Sequence, residues 1–278
     1  MERIKQAIEK DRSHYPRNDR LKSTTYRDPV PQNAWGHSQG DTDIDNINYT
    51  HSQVITLDEA ILKKNRIVAH NKQDAMSMHF DLLRTLVLQK MEEKGWKTLA
   101  ITSPTPESGK TLLSINLAMS IAQQPNRTAM LVDFDLRRPK IGTYLGLPME
   151  HSLNDYLDGN LSLPQVLINP GMPRLVVLPT KNPIRNSSET LSTKKISDLI
   201  KELRSRYESR IIIFDLPPLL ATDDSIALLP QIDCTLLVVA NGMSTKQEID
   251  DSLHLLPAEN LVGTVLNKAE IGANSYYY

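Results

Sequence analysis

An apolar run at residues 98–102 passes straight into Ser103-Pro-Thr-Pro-Glu-Ser-Gly-Lys-Thr111, and a second apolar stretch at helical spacing follows to Ala122. A strand, a tight loop and a helix in immediate succession form the context that a phosphate-binding loop requires. Backbone N–H groups of the loop and of the helix start converge and favour an anion there. Lys110 would reach the β- and γ-phosphate oxygens, and the Thr111 hydroxyl would ligate Mg²⁺. Glu107, Ser108, Gly109 and Leu112 complete the segment expected to contact a nucleotide. Pro104 stands where the common pattern has its first glycine.

Further strand-like runs fall at 129–133, 175–178, 211–215, 235–240 and 261–266, with helical stretches at 111–122, 194–207 and 246–256 between several of them. The strands are apolar throughout rather than alternating, which predicts a sheet covered on both faces. The fold expected is a doubly wound, mostly parallel α/β domain of the P-loop type. Helices at 57–68 and 74–93 lead into it, the second with Met76, Phe80, Leu83, Val87 and Met91 as its apolar face.

Two strands end in carboxylates. Asp133 and Asp135 close the 129–133 run one residue apart, so in extended backbone they share a face, and Asp215 closes the 211–215 run. Ligands bind at the C-terminal ends of strands in such sheets. All three carboxylates are therefore candidates for work beside the loop. Asp133 and Asp215 would hold Mg²⁺ together with Thr111, and Lys110, Asp133 and Asp135 form the expected catalytic set. Asn267, at the end of the last strand, is a candidate to pair with the adenine edge of ATP.

The 278 residues suffice for one such core and an extension, read as 1–54 (amphipathic helix and linker), 55–270 (the folded domain) and 271–278 (a tail). Ile4, Ala7 and Ile8 mark a short helix within 1–12, and the polar stretch that follows to Ser52 reads as a flexible linker. A formal net charge of −1 without a Lys/Arg block gives no source for counterion-release affinity, so no nucleic-acid partner is expected. The single cysteine, Cys234, lies in an apolar run and reads as a buried structural thiol. With no span of roughly 20 apolar residues and a polar start, a cytoplasmic protein is expected.

Three of the nine tyrosines are the terminal Tyr276, Tyr277 and Tyr278, behind Gly-Ala-Asn-Ser. A tail of that kind suits a phosphoacceptor.

Together, Ser103–Thr111, Asp133-Phe-Asp-Leu-Arg-Arg-Pro139, Phe214-Asp-Leu-Pro-Pro218 and the tyrosine tail resemble the bacterial tyrosine kinases of exopolysaccharide systems. The resemblance covers the chain from about Ile55. Met1–Lys10 and Leu57–Ile61 also resemble the exosortase-associated subgroup. The resemblance implies an ATP- and Mg²⁺-dependent autokinase acting on Tyr276, Tyr277 and Tyr278. It further implies control of polysaccharide polymerisation or export, activation by a membrane-embedded chain-length regulator at the inner face of the membrane, reset by a cognate tyrosine phosphatase, and a homo-oligomeric ring. Either Asp133 or Asp135 would activate the tyrosine hydroxyl. Two positions depart from the family. Its Glu-x-x-Arg-x-x-Arg helix falls on Met78, Asp81 and Arg84, of which only the last agrees, and Glu107-Ser108 stand where Gly-Glu is common. The alternative is a ParA/MinD-like ATPase switch without kinase activity. The signature lysine of that group falls on Thr105.

Overall fold

The computed structural model describes residues 53–206 and 209–269. The helix expected within 1–12, the linker to Ser52 and Tyr276–Tyr278 lie outside the described residues.

Among the described residues one sheet contains β1 (Gln53–Val54), β2 (Thr98–Thr102), β3 (Thr128–Asp133), β4 (Ile168–Asn169), β5 (Leu175–Leu178), β6 (Arg210–Asp215), β7 (Cys234–Ala240) and β8 (Leu261–Asn267). Their spatial order is β1-β4-β5-β3-β6-β2-β7-β8, parallel throughout except between β4 and β5. The longer runs thus form the sheet expected. β1 lies two residues ahead of position 55.

The main helices are α1 (Glu59–Lys64), α2 (Ser77–Lys94), α3 (Lys110–Ala122), α4 (Ile141–Leu145), α5 (Lys194–Ser205) and α6 (Lys246–Leu255). Alternate strand residues feed two separate apolar layers. Leu99, Ile101, Leu131, Ile213, Leu236 and Val238 pack with buried residues of α2 and α3 on one face. Ala100, Met130, Val132, Phe214, Leu237 and Val239 pack with buried residues of α5 on the other. Each such large side chain, moved from water to the interior, contributes about 1.5–3 kcal/mol. Beneath the strand ends, the Phe134 and Phe214 rings stack at 5.1 Å between centroids.

Two helices are shorter than their pattern. Position 57 does not begin α1, because the Asp58 side chain accepts the Ala60 N–H and caps the helix there. At the other end Arg66 adopts φ 57°, and Asn116 of α3 accepts the N–H groups of Val68 (2.8 Å) and Ala69 (2.9 Å). Those groups are then lost to a continuing helix. α2 starts at Ser77 because Asp74 makes a turn, accepting the Met76 N–H on its side chain.

The apolar face expected for α2 is also corrected at one position. Val87 and Met91 are buried and Phe80 and Leu83 pack on the core, but Met76 is 47 % exposed. Met78, Leu82 and Leu86 are exposed on the helix as well. Arg84 turns inward, to Asp81 at 2.9 Å and the Ser120 carbonyl at 3.2 Å, and Asp81 also accepts from Lys72 and Ser120.

Candidate active site

β2 lies between β6 and β7, so the loop that leaves its C-terminal end emerges at the middle of the sheet. Neighbouring chain holds the loop in shape. The Leu219 and Leu220 N–H groups donate to the Ser103 and Pro104 carbonyls (2.8 and 3.1 Å), and the Ser108 hydroxyl donates to the Thr105 carbonyl (2.9 Å). From β8, Asn267 Nδ2 donates to the Ser108 carbonyl at 2.9 Å. Two loop residues have left-handed backbone, Gly109 at φ 89° and Glu107 at φ 64°. At Gly109 this conformation costs little, and a Cβ there would lie 2.2 Å from Asn267 Nδ2. At Glu107, where the family often has glycine, a side chain is carried in a strained conformation of the kind that collects at functional sites.

Pairing of β3 with β6 sets Asp133 opposite Asp215, and the first two turns of α3 project Lys110, Thr111 and Ser114 at them. Lys110 Nζ donates to Asp135 at 2.7 Å and lies 3.8 Å from Asp215. The Thr111 hydroxyl donates to Asp215 Oδ2 at 2.6 Å. Ser114 Oγ sits 2.9 Å from the Lys110 carbonyl and 3.1 Å from Asp215 Oδ1. Ser114 was not singled out in the sequence, although it falls one helical turn after Lys110 and therefore on the same face. Asp133 Oδ2 accepts the N–H groups of Lys140 (3.1 Å) and Ile141 (3.0 Å) at the start of α4, while its Oδ1 is buried without a partner.

Three carboxylates thus share one ammonium, and two of them, Asp133 and Asp215, are fully buried. Burial, then the charge of Asp215, raises the Asp133 carboxyl well above the usual carboxylate range, and the Ile141 N–H and Lys110 oppose this only in part. Burial likewise raises Asp215 against the lowering effects of Lys110 and Thr111. For Lys110 burial works downward, but the charges of Asp215 and Asp135 overcome it and raise the ammonium. Such a cluster is short of positive charge. Its unpartnered Asp133 Oδ1 and the Thr111–Asp215 pair offer the hard oxygens that Mg²⁺ takes. No group of three or more His, Cys, Asp or Glu that could hold a metal occurs among the described residues. This chemistry fits a cation shared with phosphate oxygens rather than caged by protein.

Lys110, Thr111, Leu112, Glu107, Gly109, Asp135 and Asn267 line a cavity of about 760 Å³, whereas Asp133, Asp215 and Ser108 lie buried beneath it. Sequence reading also missed the partner of Arg137. Its guanidinium bonds Asp224, a fully buried carboxylate, at 3.2 Å. Asp224 follows the Asp-Leu-Pro-Pro turn by a few residues and carried no motif of its own.

The parallel sheet, the strand-to-helix phosphate loop and the strand-end carboxylates define a P-loop nucleotide-binding domain. No family model matches the chain. Among curated relatives, the tyrosine-protein kinase CpsD of Streptococcus pneumoniae is 30 % identical over 183 residues, which cover 65 % of this chain and 79 % of CpsD. The chain belongs to the bacterial tyrosine-protein kinase family. EpsB of Ralstonia solanacearum is 33 % identical over 198 residues, 70 % of this chain, but this chain spans only 26 % of EpsB. Of solved structures, the kinase domain of Escherichia coli tyrosine kinase ETK superposes with a TM-score of 0.68 at 29 % identity, over 81 % of this chain and 91 % of that domain. The septum site-determining protein MinD of Pyrococcus horikoshii, in complex with Mg-ADP, matches at 21 % identity and a TM-score of 0.52, over 61 % of this chain and 69 % of MinD, and shows the fold alone. No described helix is long and apolar enough to cross a membrane.

Proposed function

We propose that this domain transfers the γ-phosphoryl group of ATP to tyrosine hydroxyls, with Tyr276, Tyr277 and Tyr278 as acceptors. The observation that carries the reading is the convergence of Lys110, Thr111, Asp133, Asp135 and Asp215 on one crevice. Lys110 exchanges Asp135 for phosphate oxygens, and the loop N–H groups hold the β-phosphate. Thr111, Asp215 and Asp133 are the residues that would hold Mg²⁺, which supplies charge compensation on the phosphates when bound. Asp135 lines the cavity and Asp133 does not, so Asp135 is the carboxylate that an entering tyrosine meets first. Asp135 then takes the phenolic proton as the tyrosine oxygen bonds the γ-phosphorus and the bond to the β,γ-bridging oxygen breaks, releasing ADP. Asn267 keeps its Oδ1 for an adenine amino group, its Nδ2 being given to Ser108.

The resemblance supports control of polysaccharide polymerisation or export, with a membrane chain-length regulator as activator and a phosphatase that resets the tail. Thr105 at the ParA/MinD signature-lysine position weighs against the switch reading.

Mass spectrometry of the purified chain after incubation with ATP and Mg²⁺ tests this, beside Lys110→Met and the triple Tyr→Phe variant at 276–278. Phosphoryl additions mapped to these tyrosines, absent from Lys110→Met, are expected. Nucleotide turnover without phosphotyrosine would transfer the domain to the ATPase switches, and an unchanged label in the triple variant would move the acceptors elsewhere.

A further inference from the structure

The cavity carries cations that its own carboxylates, Glu107 and Asp135, do not match. Lys110 is matched by Asp135 and Arg137 by Asp224, yet Lys64, Arg66, Arg138 and Lys140 also line it, and no carboxylate pairs with any of these four among the described residues. They share one side. Lys64 and Arg66 flank Asn65 at the end of α1, which the Asn65 amide ties to α4 through the Tyr144 carbonyl (2.8 Å), and Arg138 and Lys140 lie on the turn from β3 into α4. This is the β3 side of the loop, beside Asp135. Asn267 and Lys268 lie on the opposite side, at the end of β8.

Arg66 is not loosely hung. Its backbone is held at φ 57°, its carbonyl accepts from Asn116 Nδ2 at 3.3 Å, and the N–H groups just beyond it donate to Asn116 Oδ1. Its backbone is therefore fixed from α3, the helix that begins with Lys110. An unpaired cationic wall beside the proposed proton acceptor repels a basic acceptor segment and attracts an acidic one.

We propose that the acceptor side of the cavity recognises tyrosine-bearing peptides that already carry negative charge, as carboxylates or as phosphate on a neighbouring residue. The proposal rests on the kinase reading for its tyrosine, but the charge recognition stands on the wall itself. In a run such as Tyr276-Tyr-Tyr278, each phosphoryl group added brings about −1.5 to −2 charge at pH 7 to the next acceptor. Later additions would then be favoured by earlier ones.

Charge recognition is separated from catalysis by measuring binding. Fluorescently labelled peptides with Phe in place of the acceptor Tyr, flanked by Gln, by Glu or by phosphotyrosine, are titrated by anisotropy into the full chain with a non-hydrolysable ATP analogue and Mg²⁺. Two or three exposed ion pairs give about a tenfold lower Kd for the charged peptides than for the Gln peptide, a gap that narrows at high salt. Lys64→Gln with Arg138→Gln should narrow it too, while Lys194→Gln, on α5 and outside the cavity lining, should not. A preference for only one charged peptide supports the proposal and identifies the source of charge. Equal Kd values for all three peptides, or a gap that the double variant leaves unchanged, overturn it. A charge preference in a chain that labels no tyrosine would overturn the kinase reading alone.

Discussion

The Lys110 ammonium donates to Asp135 at 2.7 Å, so the phosphate clamp and the proposed proton acceptor hold one another. A ligand that draws the ammonium away releases the carboxylate. Nucleotide phosphate drawn onto Lys110 frees Asp135 to accept a proton, which couples readiness for transfer to occupancy of the loop.

Lys110→Met should lower tyrosine phosphorylation by at least about 10²–10³-fold, the loss typical of removing one preorganised charge-stabilising donor. It also leaves the buried carboxylates without their cation. Thermal unfolding should therefore show a lower Tm than wild type at pH 8, with the deficit shrinking toward pH 5 as the carboxylates take up protons.

Asp133→Asn should stabilise the nucleotide-free chain. A carboxyl whose folded pKa lies above its unfolded value contributes stability that is complete below the unfolded pKa and is lost as pH rises through the folded one. An amide avoids that loss. The variant should melt higher at pH 7–8, by about 2–4 °C for each kcal/mol recovered. The difference should vanish below about pH 4, the ordinary carboxylate range. A uniform shift at all pH values would place the effect in packing instead.

Gly109→Ala and Asn267→Ala should be non-additive. The alanine Cβ at 109 meets Asn267 Nδ2 at 2.2 Å, and left-handed backbone costs a further roughly 1–2 kcal/mol. Removing the Asn267 amide removes the collision but not the backbone cost. The double variant should thus be more stable than the sum of the single losses by about 1 kcal/mol, read from denaturant midpoints. Strict additivity would mean that the loop moves aside freely.

Arg137 and Arg138 are neighbours with different work. Arg137→Ala strands the buried Asp224 carboxylate and should cost about 1–3 kcal/mol in urea unfolding. Arg138→Ala removes no side-chain hydrogen bond or ion pair among the described residues and should unfold within about 0.5 kcal/mol of wild type. Equal losses at the two positions would contradict this division.

The sheet was legible because its longer strands are continuous apolar runs ended by Asp or by a loop, and β2 and β5 fall at the bounds that their sequence implies. The two-residue strands β1 and β4 and the five-residue α4 were not, since elements this short complete no period of 2 or 3.6 residues. The convergence of Lys110, Thr111, Asp133, Asp135 and Asp215 was legible because motifs place them next to strand or helix ends. Lys64, Arg66 and Asp224 were hidden for the opposite reason. Lys64 and Arg66 are brought to the cavity by tertiary contacts, Asn65 with Tyr144 and Asn116 with the Arg66 turn, Asp224 is tied to it through Arg137, and no local spacing records those.

Asn116 lies on the same helix as Lys110 and bonds the backbone at Arg66, Val68 and Ala69. The amide protons of Val68 and Ala69 are therefore reporters of α3, and slowed hydrogen exchange there on adding nucleotide would register binding at a distance from the bound phosphates. One asparagine turns a ligand event at the head of a helix into a solvent-protection signal on a different segment of the chain.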